Sequence, residues 1–307
     1  MLNPQLDRRG ELIHLLTTEG LPRRHVERLL DTARAWAAGE PPLATPRPVF
    51  LSLPDDDPDR DAYAQAATRL SLLPVVLDAQ EADPQAGDAL AQTVSRLEPG
   101  VLVLRHAASG AAHCAAAHAA PGLRVLNAGD GRHADPLPAL ALVQAIIETK
   151  PDLTSLVVTL VGDIRHSRLA RSVIHLLTTL GVPEVRVAAP RTLLPDGLPQ
   201  LGVRACATLE ESLRDADVVI AMPLNVEGIS GAQLPSAREY ACTHALTPSG
   251  LAHARPDVML LPAGRLAPGV EVDGDIAAGL EPVEARLAVL EQHLRAAVLR
   301  VLAGDAP

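Results

Sequence analysis

The sequence predicts an α/β protein made of two doubly wound parallel-sheet domains with an interdomain cleft. Short apolar runs such as "GVLVLRH" (100–106) and "SLVVTLVGD" (155–163) alternate with amphipathic stretches along the whole chain. Runs that are apolar throughout are typical of strands buried on both faces, as in parallel sheets. With 307 residues and 48% hydrophobic content, the chain is long enough for two hydrophobic cores.

The first half contains five predicted helices and four predicted strands. The first helix begins after Gly20-Leu21-Pro22 and ends at Gly39, which are ordinary start and stop signals. The helices are predicted at 20–39, 61–70, 86–97, 109–119 and 137–149, and the strands at 49–53, 74–77, 100–106 and 123–129.

The second half repeats the alternation, which indicates a second sheet with helices on both faces. Strands are predicted at 155–163, 184–190, 217–222 and 257–263, and helices at 167–180, 208–214, 236–244 and 283–303.

Composition excludes several classes of function. The net charge is −10 and no run of basic residues exists, so neither nucleic acid nor an anionic membrane is an expected partner. The three cysteines, Cys114, Cys206 and Cys242, are far apart and predict reduced thiols in a cytoplasmic protein. No signal peptide and no apolar run of membrane-spanning length is recognisable.

No cofactor or metal is expected from the motifs. A glycine-rich dinucleotide loop is absent, and so is any HExxH or Cys/His cluster. His113 and His118 share one predicted helix at a spacing of five, a poor geometry for a shared metal, and His166 is expected on the surface.

Acidic residues fill the first strand–loop–helix junction. The stretch "LSLPDDDPDR" (51–60) places aspartates at 55, 56, 57 and 59 where a helix is about to begin. Such junctions often bind anions, because free backbone N–H groups point out of the helix start. Taken alone, the cluster is either a solvated acidic turn or a set of oxygen ligands for Mg²⁺ or Ca²⁺.

Several segments in a fixed order carry a family resemblance. They read "HLLTTEGLPRRHVERLLDTA" (14–33), "LRHAASGAA" (104–112), "LNAGDGRHADPLPAL" (126–140), "VGDIRHSRLARSVIHLLTTLG" (161–181), "LPSAREY" (234–240) and "PGVEV" (268–272). At these spacings the chain resembles the aspartate carbamoyltransferase catalytic chain. The resemblance implies a carbamoyl-phosphate domain of residues 1–135 plus 285–307, an aspartate domain of residues 136–284, and trimers that share active sites between subunits.

The phosphate loop that the resemblance implies is largely replaced. The family motif F-x-E-P-S-T-R-T-R corresponds here to "SLPDDDPDR" (52–60). Asp56, Asp57, Pro58 and Asp59 stand where Ser, Thr, Arg and Thr are implied, and only Arg60 matches. A phosphate dianion near several carboxylates meets repulsion of about 1 kcal/mol or more for each close pair, and Pro58 also removes an N–H donor.

Other implied positions in the first domain have changed as well. The family's loop with a Ser and a Lys from a neighbouring subunit corresponds to "DAQEADPQAGD" (78–88), which has neither, and Lys150 is the only lysine in the chain. Asp135, Leu137 and Pro138 replace the family's His, Thr and Gln, while His133 lies two residues too early.

In the second domain the pattern is mixed. Leu224 and Val226 replace the Arg-x-Gln pair that binds the aspartate carboxylate in the family. Arg168 is kept and would hold the amino-acid carboxylate, as Arg105 in the first domain would face the phosphate and carbamoyl oxygens. Both are fork-shaped cations suited to bidentate anion binding, and with His133 they are the predicted residual substrate-binding residues.

These substitutions predict a catalytically degenerate pseudoenzyme with no catalytic residue. Its predicted role is that of a structural or regulatory subunit linked to pyrimidine biosynthesis, as a homotrimer or paired with an active carbamoyltransferase or another pyrimidine-pathway enzyme. Two alternatives stay open: an active aspartate carbamoyltransferase or related enzyme with a different substrate, and a sensor that binds a dicarboxylate through Arg105 and Arg168.

Overall fold

The structure, a computed structural model, describes residues 3–77, 87–224 and 236–304. The chain divides into two compact units, the first formed by Met1–Ala141 with Val289–Pro307 and the second by Leu142–Ala288. Each unit contains one sheet in which all strands are parallel. The predicted class, α/β with two parallel sheets, is therefore confirmed.

The sheet of the first unit has four strands in the order β2-β1-β3-β4. They are β1 (Pro48–Ser52), β2 (Leu73–Val76), β3 (Gly100–His106) and β4 (Leu123–Asp130). The strands β1 and β3 carry central apolar runs that are almost wholly buried, as expected for the centre of a parallel sheet. The edge strand β2 differs, because the side chains of all four of its residues are exposed.

The sheet of the second unit has five strands in the order β7-β6-β5-β8-β9. They are β5 (Val157–Val161), β6 (Glu184–Ala188), β7 (Val203–Ala205), β8 (Val218–Ala221) and β9 (Met259–Pro262). The short strand β7 was not among the predicted elements. It has only three residues, two of them exposed, and so lacks the apolar run that marks the other strands.

Eleven helices lie in the described ranges. They are α1 (Arg23–Ala37), α2 (Pro58–Arg69), α3 (Gly87–Arg96), α4 (Ala111–His118), α5 (Pro136–Thr149), α6 (Arg168–Leu180), α7 (Leu209–Leu213), α8 (Ala237–His244), α9 (Pro248–Leu251), α10 (Gly274–Gly279) and α11 (Glu281–Ala303). Within the described ranges, no helix is both long enough and apolar enough to span a bilayer. All three cysteines are free.

Local capping explains where the helices next to the candidate site begin. The α2 helix starts at Pro58, three residues before the predicted start at 61, because the Asp57 side chain caps it and proline suits the first helical position. Ser167 caps α6 in the same way, and Gly181 ends that helix with a positive φ of 85°.

Candidate functional site

The acidic loop after β1 folds inward at two of its four aspartates. The Asp57 carboxylate accepts a hydrogen bond from the Asp59 backbone N–H at 2.9 Å, which is the N-cap contact of α2. Its side chain is only 5% exposed. Asp56 is exposed, and Asp55, 80% exposed, pairs with Arg60 at 2.6 Å on the outside of the loop. The loop is therefore not a uniformly solvated turn.

Sheet register brings this loop to Arg105. Ser52, the last residue of β1, pairs with Leu104 of the adjacent parallel strand β3, and the carboxyl ends of parallel strands meet at one edge of a sheet. The Arg105 Nη1 donates to Asp57 at 2.6 Å, and the Nη2 donates to Asp59 at 2.7 Å. The Nε donates to the Ala128 carbonyl oxygen at 2.7 Å.

These ion pairs use the two Nη atoms of Arg105, which are the atoms that would bind an oxyanion. Two Nη atoms pointing at two acceptors are the geometry of bidentate carboxylate or phosphate recognition. In this chain, the acceptors are two of its own carboxylates. Asp57, Asp59 and Arg105 thus form a cluster, here called the carboxylate–arginine cluster, at the position implied for the phosphate.

Two residues of the C-terminal helix extend the carboxylate–arginine cluster. Arg295 donates from Nη2 both to Asp59 and to Glu291, the latter at 3.0 Å. Its guanidinium lies over the buried Tyr63 ring, 5.6 Å from the ring centre. Sequence reasoning missed Arg295 and Glu291, because neither belongs to the motifs that carry the resemblance.

Charge around Arg105 is dominated by carboxyl groups. Burial opposes the charged form, but the nearby Asp135, Asp59 and Asp57 outweigh it and hold the pKa of Arg105 above its usual value. Burial also raises the pKa of Glu291, an effect that Arg295 opposes and that Asp59 and Asp135 reinforce. An anionic ligand placed beside Arg105 would therefore lie close to several carboxylates.

His133 lies in a separate group after β4. Its Nδ1 is 3.1 Å from Oδ2 of the fully buried Asp130. Burial opposes ionisation of Asp130, yet hydrogen bonds from His133, Asn127 and the Gly110 N–H prevail and lower its pKa. The His113 ring meets the His133 ring edge to face at a centroid distance of 5.3 Å. Burial, followed by the neighbouring His133, lowers the pKa of His113.

Three of the remaining replaced positions of the first unit lie at the start of α5. Asp135 is buried immediately before the helix, and Pro138 is half-buried in its first turn. Leu137 between them is 2% exposed. Pro138 has no amide donor in its side chain, so it cannot supply the contact of the implied Gln.

The second unit keeps the loop between β5 and α6. Arg168 is the first residue of α6 and is half-buried. Asp163 is fully buried and lies 3.0 Å from Nδ1 of His166. The prediction that His166 is a surface residue is wrong, because its side chain is 7% exposed. The buried Asp163 supplies the polar partner that makes this burial tolerable.

Hydrogen bonds connect the segment after β8 to the loop that contains Glu271. The Leu224 N–H donates to Glu271 at 3.0 Å, and the same carboxylate accepts from the Ala267 N–H at 2.7 Å. Glu271 belongs to the "PGVEV" segment, so this retained acid connects two loops of the second unit. Val226 and residues 78–86 lie outside the described residues.

No protein-family model matches the sequence. Among solved structures, ornithine carbamoyltransferase from Pyrococcus furiosus has a TM-score of 0.77 and 22% identity, with coverage of 96% of this chain and 98% of that chain.

Aspartate transcarbamoylase from Trypanosoma cruzi, solved in complex with aspartate and phosphate, has a TM-score of 0.75 and 20% identity, with coverage of 94% and 97%. The chain has the carbamoyltransferase fold. Ornithine carbamoyltransferase from Thermus thermophilus matches with a TM-score of 0.73, 19% identity and coverage of 98% and 100%. The fold implied by the sequence resemblance is thus confirmed.

Proposed function

We propose that this carbamoyltransferase-fold protein does not transfer carbamoyl groups and acts as a structural or regulatory subunit linked to pyrimidine biosynthesis. The observation that supports this most strongly is the pairing of Arg105 with Asp57 and Asp59 at 2.6 and 2.7 Å. The chain's own carboxylates take the place of the donor's phosphate.

Binding a phosphate at Arg105 would require displacing both carboxylates. The displaced Asp57 and Asp59 would then stand beside a dianion, at a cost of about 1 kcal/mol per pair of unit charges at 4 Å in water and about 4 kcal/mol at an effective dielectric constant of 20. Carbamoyl transfer depends on orientation and charge stabilisation of the donor, so weak or misplaced phosphate binding removes the reaction.

The donors needed to offset this cost are also changed. Pro58, at the start of α2, has no backbone N–H to offer a phosphate. The chain's lysine, Lys150, donates to Asp257 at 2.6 Å within the second unit. Arg60 is the one residue that matches the family loop. Its guanidinium donates to both the side-chain carboxylate and the backbone carbonyl oxygen of Asp55.

The subunit role is supported by an exposed strand edge. The strand β2 is at the edge of its sheet, and Leu73, Val75 and Val76 are 55%, 40% and 54% exposed. Exposed apolar edges are unusual in isolated proteins because they promote pairing with another chain. We propose that this edge takes part in a homotrimer or in a hetero-oligomer with an active carbamoyltransferase or another pyrimidine-pathway enzyme.

An activity assay tests the proposal. Purified protein is supplied with carbamoyl phosphate and either aspartate or ornithine, and carbamoylated product is measured against an Arg168→Ala control. We expect no product above the uncatalysed background with either acceptor. Turnover that is lost in the Arg168→Ala protein would overturn the proposal and favour an active carbamoyltransferase.

A further inference from the structure

We infer that His113, His133 and Asp130 form a binding site for a divalent transition-metal ion of the zinc type. The three side chains each offer a ligand atom, and these atoms all lie within 4.8 Å of one another. The ligands come from two segments, the first turns of α4 and the end of β4 with the following loop. This inference does not rest on the proposed function, which concerns Arg105 and its pairing with Asp57 and Asp59.

The spacing of the ligand atoms fits a small ion. Zinc–nitrogen and zinc–oxygen bonds of about 2.1 Å in a tetrahedral site place neighbouring ligand atoms about 3.4 Å apart. The His133 Nδ1 is already 3.1 Å from the Asp130 Oδ2. His113 and His133 are both partly exposed, so modest side-chain rotations can bring the third ligand to this distance.

Asp130 is held in place by the backbone around it. Its Oδ2 accepts from the Gly110 N–H at 2.8 Å, and its Oδ1 accepts from Asn127 Nδ2 at 2.8 Å and from the Ala134 N–H at 3.1 Å. Oδ2 also lies within hydrogen-bond distance of His133 Nδ1, at 3.1 Å, so this oxygen already faces the histidine that would share the ion. A carboxylate oriented in this way needs little reorganisation to bind a cation.

The two ligand-bearing segments are also fixed to each other. The Gly131 N–H donates to the His106 carbonyl oxygen at 2.9 Å, and the Arg132 N–H donates to Ser109 Oγ at 3.1 Å. Gly131 has a positive φ of 49°, and a Cβ there would collide with Ser109. The segments therefore approach so closely that His113 and His133 are held side by side.

The chemistry of the donors selects the ion. Two imidazole nitrogens and one carboxylate oxygen suit zinc, cobalt(II) and nickel(II), whereas Mg²⁺ and Ca²⁺ prefer oxygen ligands alone. Three protein ligands leave at least one coordination position open, as in zinc sites that bind water or a small ligand.

Titration calorimetry with Zn²⁺ tests the inference. We expect the wild-type chain to show a single saturable site, and His113→Ala or His133→Ala to weaken it by more than the roughly 10- to 100-fold that loss of an outer-shell group costs. His118→Ala is the matched control, because His118 is an exposed histidine on the same helix. Mg²⁺ should not compete.

Cobalt(II) absorption gives a second readout. The inferred ligand set predicts d–d bands of a nitrogen- and oxygen-ligated ion without a thiolate charge-transfer band. His118 lies 3.9 Å from Cys114, so a thiolate band together with loss of binding in His118→Ala would move the ion to that pair and overturn the inference. Absence of zinc binding by the wild-type chain would also overturn it. Thermal unfolding of each metal-free variant verifies that the fold is kept.

Discussion

The two strand-to-helix junctions that follow β1 and β5 have the same local architecture but different chemistry. In both, a capping side chain starts the helix: Asp57 accepts from the Asp59 N–H, and Ser167 accepts from the Ala170 N–H. At the first junction the capping residue is also a counter-ion of Arg105. At the second, the cap is a neutral hydroxyl followed directly by the half-buried Arg168.

The difference separates what a fold requires from what a ligand requires. A helix start needs a cap, and either an aspartate or a serine meets that need. An anion site also needs cations and N–H groups that the protein has not already used. At the first junction the carboxylates cap the helix and pair with Arg105, and the proposed function has this same pairing exclude an anion.

The largest expected effect tests the backbone of the second junction. Gly162 has a φ of 130°, and a Cβ at this position would overlap the Met222 carbonyl group. We expect Gly162→Ala to lower the free energy of unfolding by at least about 5 kcal/mol. Gly181, at the other end of α6, also has a positive φ, but a Cβ there would meet no other atom. Gly181→Ala should therefore lower the free energy of unfolding by only about 1–2 kcal/mol. Urea denaturation measures both, and equal losses would contradict the steric explanation.

The next effect tests the first junction with two aspartates of one loop. Asp57→Ala removes the helix cap, which should lower the free energy of unfolding by about 1 kcal/mol. It also leaves the mostly buried Arg105 with one carboxylate fewer, which should lower it by about 3 kcal/mol more. Asp55→Ala breaks only the exposed pair with Arg60 and should cost less than about 1 kcal/mol. If urea denaturation gave the two variants similar stabilities, the carboxylate–arginine cluster would not stabilise the junction as we describe.

A third effect concerns acid stability of the first unit away from the junction. Burial, with a smaller contribution from Arg124, lowers the pKa of His14 to about 4. Its Nδ1 accepts from the Val125 N–H at 2.9 Å, a bond that requires the neutral ring. Because the folded-state pKa lies below the ordinary 6.5, the unfolded chain takes up this proton first as the pH falls. The stabilisation is complete above pH 6.5 and is lost toward pH 4.

We expect this titration to remove about 3 kcal/mol of stability between pH 7 and pH 4. His14→Asn keeps an acceptor near the Nδ1 position but does not titrate, so its loss over the same range should be smaller by about that amount. Denaturant unfolding at each pH provides the measurement. Parallel pH profiles for the two proteins would show that carboxylates alone, including those of the first junction, set the acid limit.

The smallest effect on stability tests the exposed edge of the first sheet. Val76→Arg on β2 and Val289→Arg on α11 both replace a valine that is about half exposed, and each should change stability by less than about 0.5 kcal/mol. Only the β2 substitution should reduce the particle mass measured by light scattering. A monomeric wild-type chain, or mass loss in the Val289 variant alone, would remove the support for association through β2.

Much of the fold could be predicted from the sequence because its signals are local. The strand predicted at 100–106 is observed as Gly100–His106, and the helix predicted at 167–180 is observed as Arg168–Leu180. An apolar run marks the strand, and capping residues mark both ends of the helix. The strand β7 and helix α10 were missed, since a three-residue exposed strand and the short, glycine-bounded helix at Gly274–Gly279 carry no periodic pattern.

The site was less predictable because its contacts join distant segments. Sequence reasoning singled out Arg105 and the aspartates separately, but their pairing depends on β1 and β3 being neighbours, with partners 48 and 46 residues apart. Arg295 lies 236 residues from Asp59. The grouping of His113 with His133 likewise arises only when α4 and the loop after β4 meet, whereas spacing along one helix had directed attention to His118.

Titration calorimetry with N-(phosphonacetyl)-L-aspartic acid, the ligand in one Trypanosoma cruzi aspartate transcarbamoylase structure, tests the central claim most directly. Wild-type protein, Arg105→Ala and the control Arg60→Ala are compared. Because the Arg105 guanidinium is already paired with Asp57 and Asp59, we predict that the wild type and Arg105→Ala give indistinguishable titrations. Binding by the wild type that is lost in Arg105→Ala and kept in Arg60→Ala would contradict the account.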